Sequence, residues 1–131
     1  MKSFDTETGI WNLEMATENH RCDFLLAAAI VSFYAPKVRS GRDRLDYPTI
    51  LDVGCGEGRY CAIFKACGCS DVIGVDGTPD VMSLGVFDNI LQADLTKPLW
   101  LPSSQLVVCL EVGEHVPKQH EQTLIDNICN C

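Results

Sequence analysis

The chain has 131 residues, a net charge of −8, 47% hydrophobic residues and 21% charged residues. That length builds one domain around one core, and the balance of apolar and charged residues excludes a disordered chain. An acidic surface repels phosphate backbones, so nucleic acid is not an expected partner.

Residues 1–16 read as an irregular N-terminal segment in which Trp11 and Leu13 are candidate anchors. Residues 17–35 read as a leading helix, because Cys22, Leu25, Leu26, Ala29, Ile30 and Phe33 recur at spacings of three and four. Pro36 closes it. The polar stretch that follows holds a basic cluster, Lys37, Arg39, Arg42 and Arg44, read as a solvated connection. The N-terminus carries no apolar signal region. The longest uncharged run, Phe24 to Pro36, falls short of the about 20 apolar residues that a membrane span needs. A cytoplasmic protein with no membrane partner is expected.

From Ile50 onward, apolar runs alternate with helical patterns. "ILDV" reads as a first strand, "GCGEG" as a turn and "RYCAIFKAC" as a helix capped by Gly68. "DVIGVDG" is a second strand. "TPDVMSLG" reads as a short helix with Thr78 as N-cap and Pro79 in its first position. A third strand falls at Asn89–Gln92, and "QLVVCLEV" is a fourth. A last helix follows Pro117, with Leu124, Ile125 and Ile128 on one face.

This alternation predicts an α/β fold with a mostly parallel sheet, and uniformly apolar strands predict helices on both faces. The eight cysteines show no paired zinc-ligand spacing, so they are read as free thiols in a reducing compartment, with no metal site.

Ligands of such sheets bind at the carboxyl ends of the strands. Those ends carry Asp52 with the glycine turn, Asp76, Asp94 and Glu111. Gly54, Gly56 and Gly58 follow a G-x-G-x-G spacing rather than the G-x-G-x-x-G of dinucleotide sites. Asp52 just before the turn would oppose a pyrophosphate, and it suits a ligand with a positive group instead.

These residues resemble the class I S-adenosylmethionine-dependent methyltransferases. "ILDVGCGEG" is similar to the family's first motif, "VIGVDGTP" to its second strand, "LQADL" to its third and "LVVCLEVGEHVP" to its fourth. The phrase "EVGEH" and the leading helix "ENHRCDFLLAAAI" resemble a subset of small methyltransferases. The resemblance implies a Rossmann-like sheet of strand order 3-2-1-4 and S-adenosyl-L-methionine as cofactor. It implies that Gly54, Gly56 and Gly58 let the backbone approach the methionyl part. Asp52 would orient the turn and hold the ammonium end, Asp76 would accept the ribose hydroxyls, and Asp94 would accept the adenine amino group beside the Leu95 backbone. His20 would reach the cofactor carboxylate. Glu111 would face the methyl and substrate side, and His115 or Glu114 would serve as base for an O–H or N–H acceptor. A small-molecule acceptor is expected.

The family's sheet has further C-terminal strands that this sequence does not supply. One partial domain, 1–131, is therefore expected, with the fourth strand as an exposed edge open to self-association. Two other readings stay open: a cofactor-binding half-domain that needs a partner and does not turn over, and a nicotinamide-binding Rossmann protein, which the glycine spacing disfavours.

Overall fold

The computed structural model describes residues 4–19, 21–34 and 47–131. His20 and the basic cluster Lys37, Arg39, Arg42 and Arg44 lie outside the described residues.

Four strands form the sheet: β1 (Ile50–Val53), β2 (Val72–Asp76), β3 (Ile90–Gln92) and β4 (Leu106–Val108). Their order is β3-β2-β1-β4, and every pairing is parallel. The short apolar run Ile50–Val53 takes the centre because it is buried on both faces. Ile50 points into one core, with Ala27, Val31, Cys61 and Phe64. Leu51 and Val53 point into the other, with Val75, Leu95 and Leu124. The period of two along the strand thus feeds two separate cores. α2 (Phe24–Tyr34) and α3 (Arg59–Ala66) contribute to the first, and α4 (Glu121–Cys129) to the second. This is the expected Rossmann-like architecture, with helices on both faces.

The leading helix is divided, unlike the single periodic segment read at 17–35. α1 spans Leu13–Asn19, starting inside the stretch 1–16 expected to be irregular and running into 17–35, and α2 starts at Phe24. Two side-chain caps set the starts. Asn12 Oδ1 accepts the Met15 N–H at 2.9 Å. Asp23 Oδ1 accepts the N–H groups of Leu25 and Leu26 at 2.9 and 3.1 Å. Each cap satisfies donors that a helix leaves open at its N-terminus.

Two smaller differences arise from backbone geometry. The segment after β2 forms only a 3-10 turn at Val81–Leu84, because Asp80 ahead of it sits at φ 58. Thr78 does not cap it; the Thr78 N–H donates to Asp76 Oδ1. The regular part of the fourth strand ends at Val108, so Glu111 stands in the loop beyond it. Among the described residues, β4 lies at one end of the sheet.

The loop after β3 is tied to α4 by one buried residue. Asn127 donates to the carbonyls of Leu95 and Lys97 at 3.1 and 2.9 Å, and its Oδ1 accepts the Leu99 N–H at 2.9 Å. Among the described residues, no helix is long and apolar enough to cross a membrane.

Candidate cofactor site

The glycine turn follows β1 directly. Gly54, Gly56 and Gly58 have φ of 77°, 55° and 85°. Left-handed backbone at alternate positions is the reason that glycine recurs there. Space adds a second reason at two of them. A Cβ on Gly54 would lie 2.3 Å from Val112 Cγ2, and one on Gly58 would lie 2.6 Å from Phe87 Cβ. The absent side chain at Gly58 thus accommodates Phe87.

Asp76 locks the turn to the neighbouring strand. Its Oδ2 accepts the Gly56 N–H at 2.7 Å, and its Oδ1 accepts the Thr78 N–H at 2.8 Å. Asp52 is 3% exposed. Burial pushes its carboxyl up to about 7; a hydrogen bond from the Cys61 thiol opposes this, and the Asp76 charge adds to it.

A cavity of about 560 Å³ opens over this rim. Asp52, Gly54, Asp76 and Leu95 line it from the strand ends, and Glu111, Glu114 and His115 from the loop after β4. Asp94 is not among its lining residues. Asp94 Oδ1 accepts both the backbone N–H and the hydroxyl of Thr96, at 2.9 and 2.6 Å. Its neighbour Leu95 forms the cavity wall. Glu111 is a non-glycine residue at φ 55, a conformation that turns its side chain out of the strand line. His115 Nε2 lies 4.0 Å from Glu114 Oε1.

Several contributors were not legible in the sequence. The N-terminal segment is a hairpin: Phe4 bridges Trp11, and the Asp5 N–H donates to the Ile10 carbonyl at 2.8 Å. It joins the end of β2 to the loop after β4. Ile10 packs on Gly77, where a Cβ would lie 2.7 Å from Ile10 Cγ1. Trp11 meets the His115 ring edge-on, with centroids 4.7 Å apart. Tyr60 Oη accepts the Asp23 N–H at 3.0 Å and ties α3 to the start of α2. Arg21, Cys22 and Arg59 complete the wall on that side. The contacts of Ile10 with Gly77, Trp11 with His115 and Tyr60 with Asp23 join residues far apart in the chain. Trp11, read as a candidate anchor, is the residue of the segment that meets the His115 ring.

Gly9 is the tightest point of that hairpin. It has φ +75, and a Cβ there would lie 2.1 Å from the His115 carbonyl oxygen. Gly9→Ala is expected to lift the hairpin off the rim and to cost about 1–2 kcal/mol of stability from the left-handed backbone alone. Tryptophan emission in a Trp100→Phe background checks this, since Trp100 is fully exposed and contributes only solvent-like signal. The emission of Trp11 should shift to the red.

A parallel α/β sheet with a left-handed glycine turn, a carboxylate bonded to that turn and a cavity at the strand ends defines a domain of the Rossmann-like class. A family model described as a methyltransferase domain matches residues 18–131, and the chain belongs to the class I S-adenosylmethionine-dependent methyltransferase family. Among curated proteins it is similar to the ribosomal protein L11 methyltransferase of Burkholderia multivorans (strain ATCC 17616 / 249), at 28% identity over 52% of this chain and 30% of that protein. It is also similar to the ribosomal protein L11 methyltransferase of Burkholderia orbicola (strain MC0-3), at 29% identity over the same shares. The chain thus spans less than a third of the length of these relatives.

Proposed function

We propose that the cavity binds S-adenosyl-L-methionine and that the protein transfers its methyl group to a small-molecule acceptor. One observation carries this reading: Asp76 is hydrogen-bonded to the glycine turn, and both line one cavity with a buried carboxylate, Asp52. A cationic cofactor is the electrostatic complement of that pair. Family membership supports it independently.

The cofactor, when bound, supplies an electrophilic methyl group on a sulfonium. The chain supplies position and charge. Asp52 holds the ammonium end. Asp76 keeps lone pairs for the ribose hydroxyls beside those used by Gly56 and Thr78. Leu95 would cover the adenine, and Asp94, outside the cavity lining, braces the turn beside it through Thr96. Glu111 faces the acceptor side, and His115 with Glu114 takes a proton where the acceptor must lose one. The hairpin over the rim favours a small acceptor. A protein acceptor is the second reading, supported by the name of the curated relatives.

Titration calorimetry with S-adenosylmethionine, S-adenosylhomocysteine and NAD tests the cofactor. Binding of both adenosyl ligands is expected, and binding of NAD alone would overturn the proposal. Transfer of isotopically labelled methyl groups into small-molecule or protein fractions of an extract then separates the acceptors. Tight binding of S-adenosylhomocysteine with no labelled product would instead favour a non-catalytic binding domain.

A further inference from the structure

The buried carboxylate of Asp52 has one hydrogen-bond donor among the described residues, the thiol of Cys61, with Sγ 3.4 Å from Oδ2. Among the described residues, no buried side-chain oxygen lacks a partner. Oδ1 accepts no hydrogen bond from the described residues, and Asp52 lines the cavity wall. One oxygen is thus held by the thiol, on a residue that borders the ligand space.

Cys61 is itself closely fixed. It is fully buried in the first turn of α3. Its sulfur and that of Cys55 both press on Gly74 of β2, where a Cβ would lie 3.2 Å from Cys61 Sγ and 2.5 Å from Cys55 Sγ. Any side chain at Gly74 would push the two thiols off their seats. Three elements thus converge to place a single S–H under Asp52. A thiol is a weak donor, so it orients the carboxylate without taking over its charge.

We infer that Cys61 is a positioning residue for the cationic end of the cofactor: its S–H holds Asp52 Oδ2 and thereby aims Oδ1 into the cavity. This rests on the proposed placement of the cofactor ammonium beside Asp52. The titratable groups that face Asp52 are Cys61 from α3, Cys55 from the glycine turn and Asp76 from β2. Cys109 beyond β4 and Cys22 ahead of α2 also feel its charge. Each of these thiols is itself pushed up, mainly by burial at Cys109 and Cys22 and by the bond to Cys61 at Cys55. They stay neutral near pH 7, so Asp52 is the group whose ionisation is followed there.

Carboxyl carbon-13 NMR titration of Asp52 in the ligand-free protein is the direct test, on wild type, Cys61→Ala and Cys61→Ser. The thiol bond favours the ionised carboxylate, so its removal should raise the Asp52 midpoint by about half to one pH unit. Cys61→Ser should lower it below wild type, because a hydroxyl is the stronger donor. A purely structural role moves neither midpoint in this pattern. Calorimetry with S-adenosylhomocysteine from pH 6 to 9 should show affinity rising as Asp52 ionises, with the rise displaced by the same amount in each variant.

An Asp52 midpoint unchanged in Cys61→Ala, with binding intact, overturns the inference and leaves the cofactor reading in place. No S-adenosylhomocysteine binding at any pH, with the midpoints shifted as expected, overturns the cofactor reading and with it the positioning role. Should Cys61→Ala fail to fold, Cys61→Ser decides alone, and a midpoint at or above wild type overturns the inference.

Discussion

Asp76→Ala should weaken S-adenosylhomocysteine binding by about one to two orders of magnitude, from losing hydrogen bonds to a charged acceptor worth roughly 1.5–3 kcal/mol. Two losses add up. The direct one is the proposed acceptor for the ribose hydroxyls. The indirect one is the lock on the turn, since the N–H groups of Gly56 and Thr78 both donate to this carboxylate. Asp76→Asn separates them. Its amide oxygen can accept one of the two N–H groups, but its NH2 faces the other, so an intermediate affinity is expected. Calorimetry gives the constants, and hydrogen exchange at the Gly56 amide reports the lock without any ligand. An unchanged dissociation constant in Asp76→Ala would contradict the ribose assignment.

The largest stability effect is expected at Asn127. One buried amide serves two carbonyls and one N–H of the loop after β3. Asn127→Ala leaves three backbone groups without that partner, at about 1–3 kcal/mol for each one that water cannot reach. A total loss of about 2–4 kcal/mol is expected, because part of the loop borders solvent and recovers hydrogen bonds there. Urea unfolding should show a lower midpoint at an unchanged slope. Asn127→Asp should be no better, since a carboxylate can still accept from Leu99 but repels the carbonyls of Leu95 and Lys97. The same loop sets Leu95 on the cavity wall, so Asn127→Ala should also weaken adenosyl-ligand binding. A change under about 0.5 kcal/mol would place Asn127 with ordinary surface positions and contradict the clamp.

What could be read from the sequence follows from how local each signal is. The strand "ILDV", the left-handed glycines and the acids at the strand ends are set by their immediate neighbours, and the parallel order 3-2-1-4 followed from the motifs they build. The leading helix was read as one piece because its apolar spacing runs on through Cys22. Periodicity does not register that Asp23 is better used as a cap, and the side chain's bonds to Leu25 and Leu26 decide the matter. Asp94 shows the limit from another side. An acid after a strand can serve a ligand or its own turn, and here one of its oxygens is taken by Thr96. The seating of the hairpin on the rim, the Tyr60–Asp23 bond and the Asn127 clamp depend on residues that meet only after the sheet has formed. No pattern within a short window encodes them.

The hairpin has a kinetic consequence. It rests on the rim through Gly9 against the His115 carbonyl, Ile10 against Gly77 and Trp11 against the His115 ring. Gly9, Ile10 and Trp11 also line the cavity, so the hairpin is expected to govern how fast a ligand exchanges. A weakened seat, as in Gly9→Ala, is expected to speed both entry and exit, which stopped-flow binding checks.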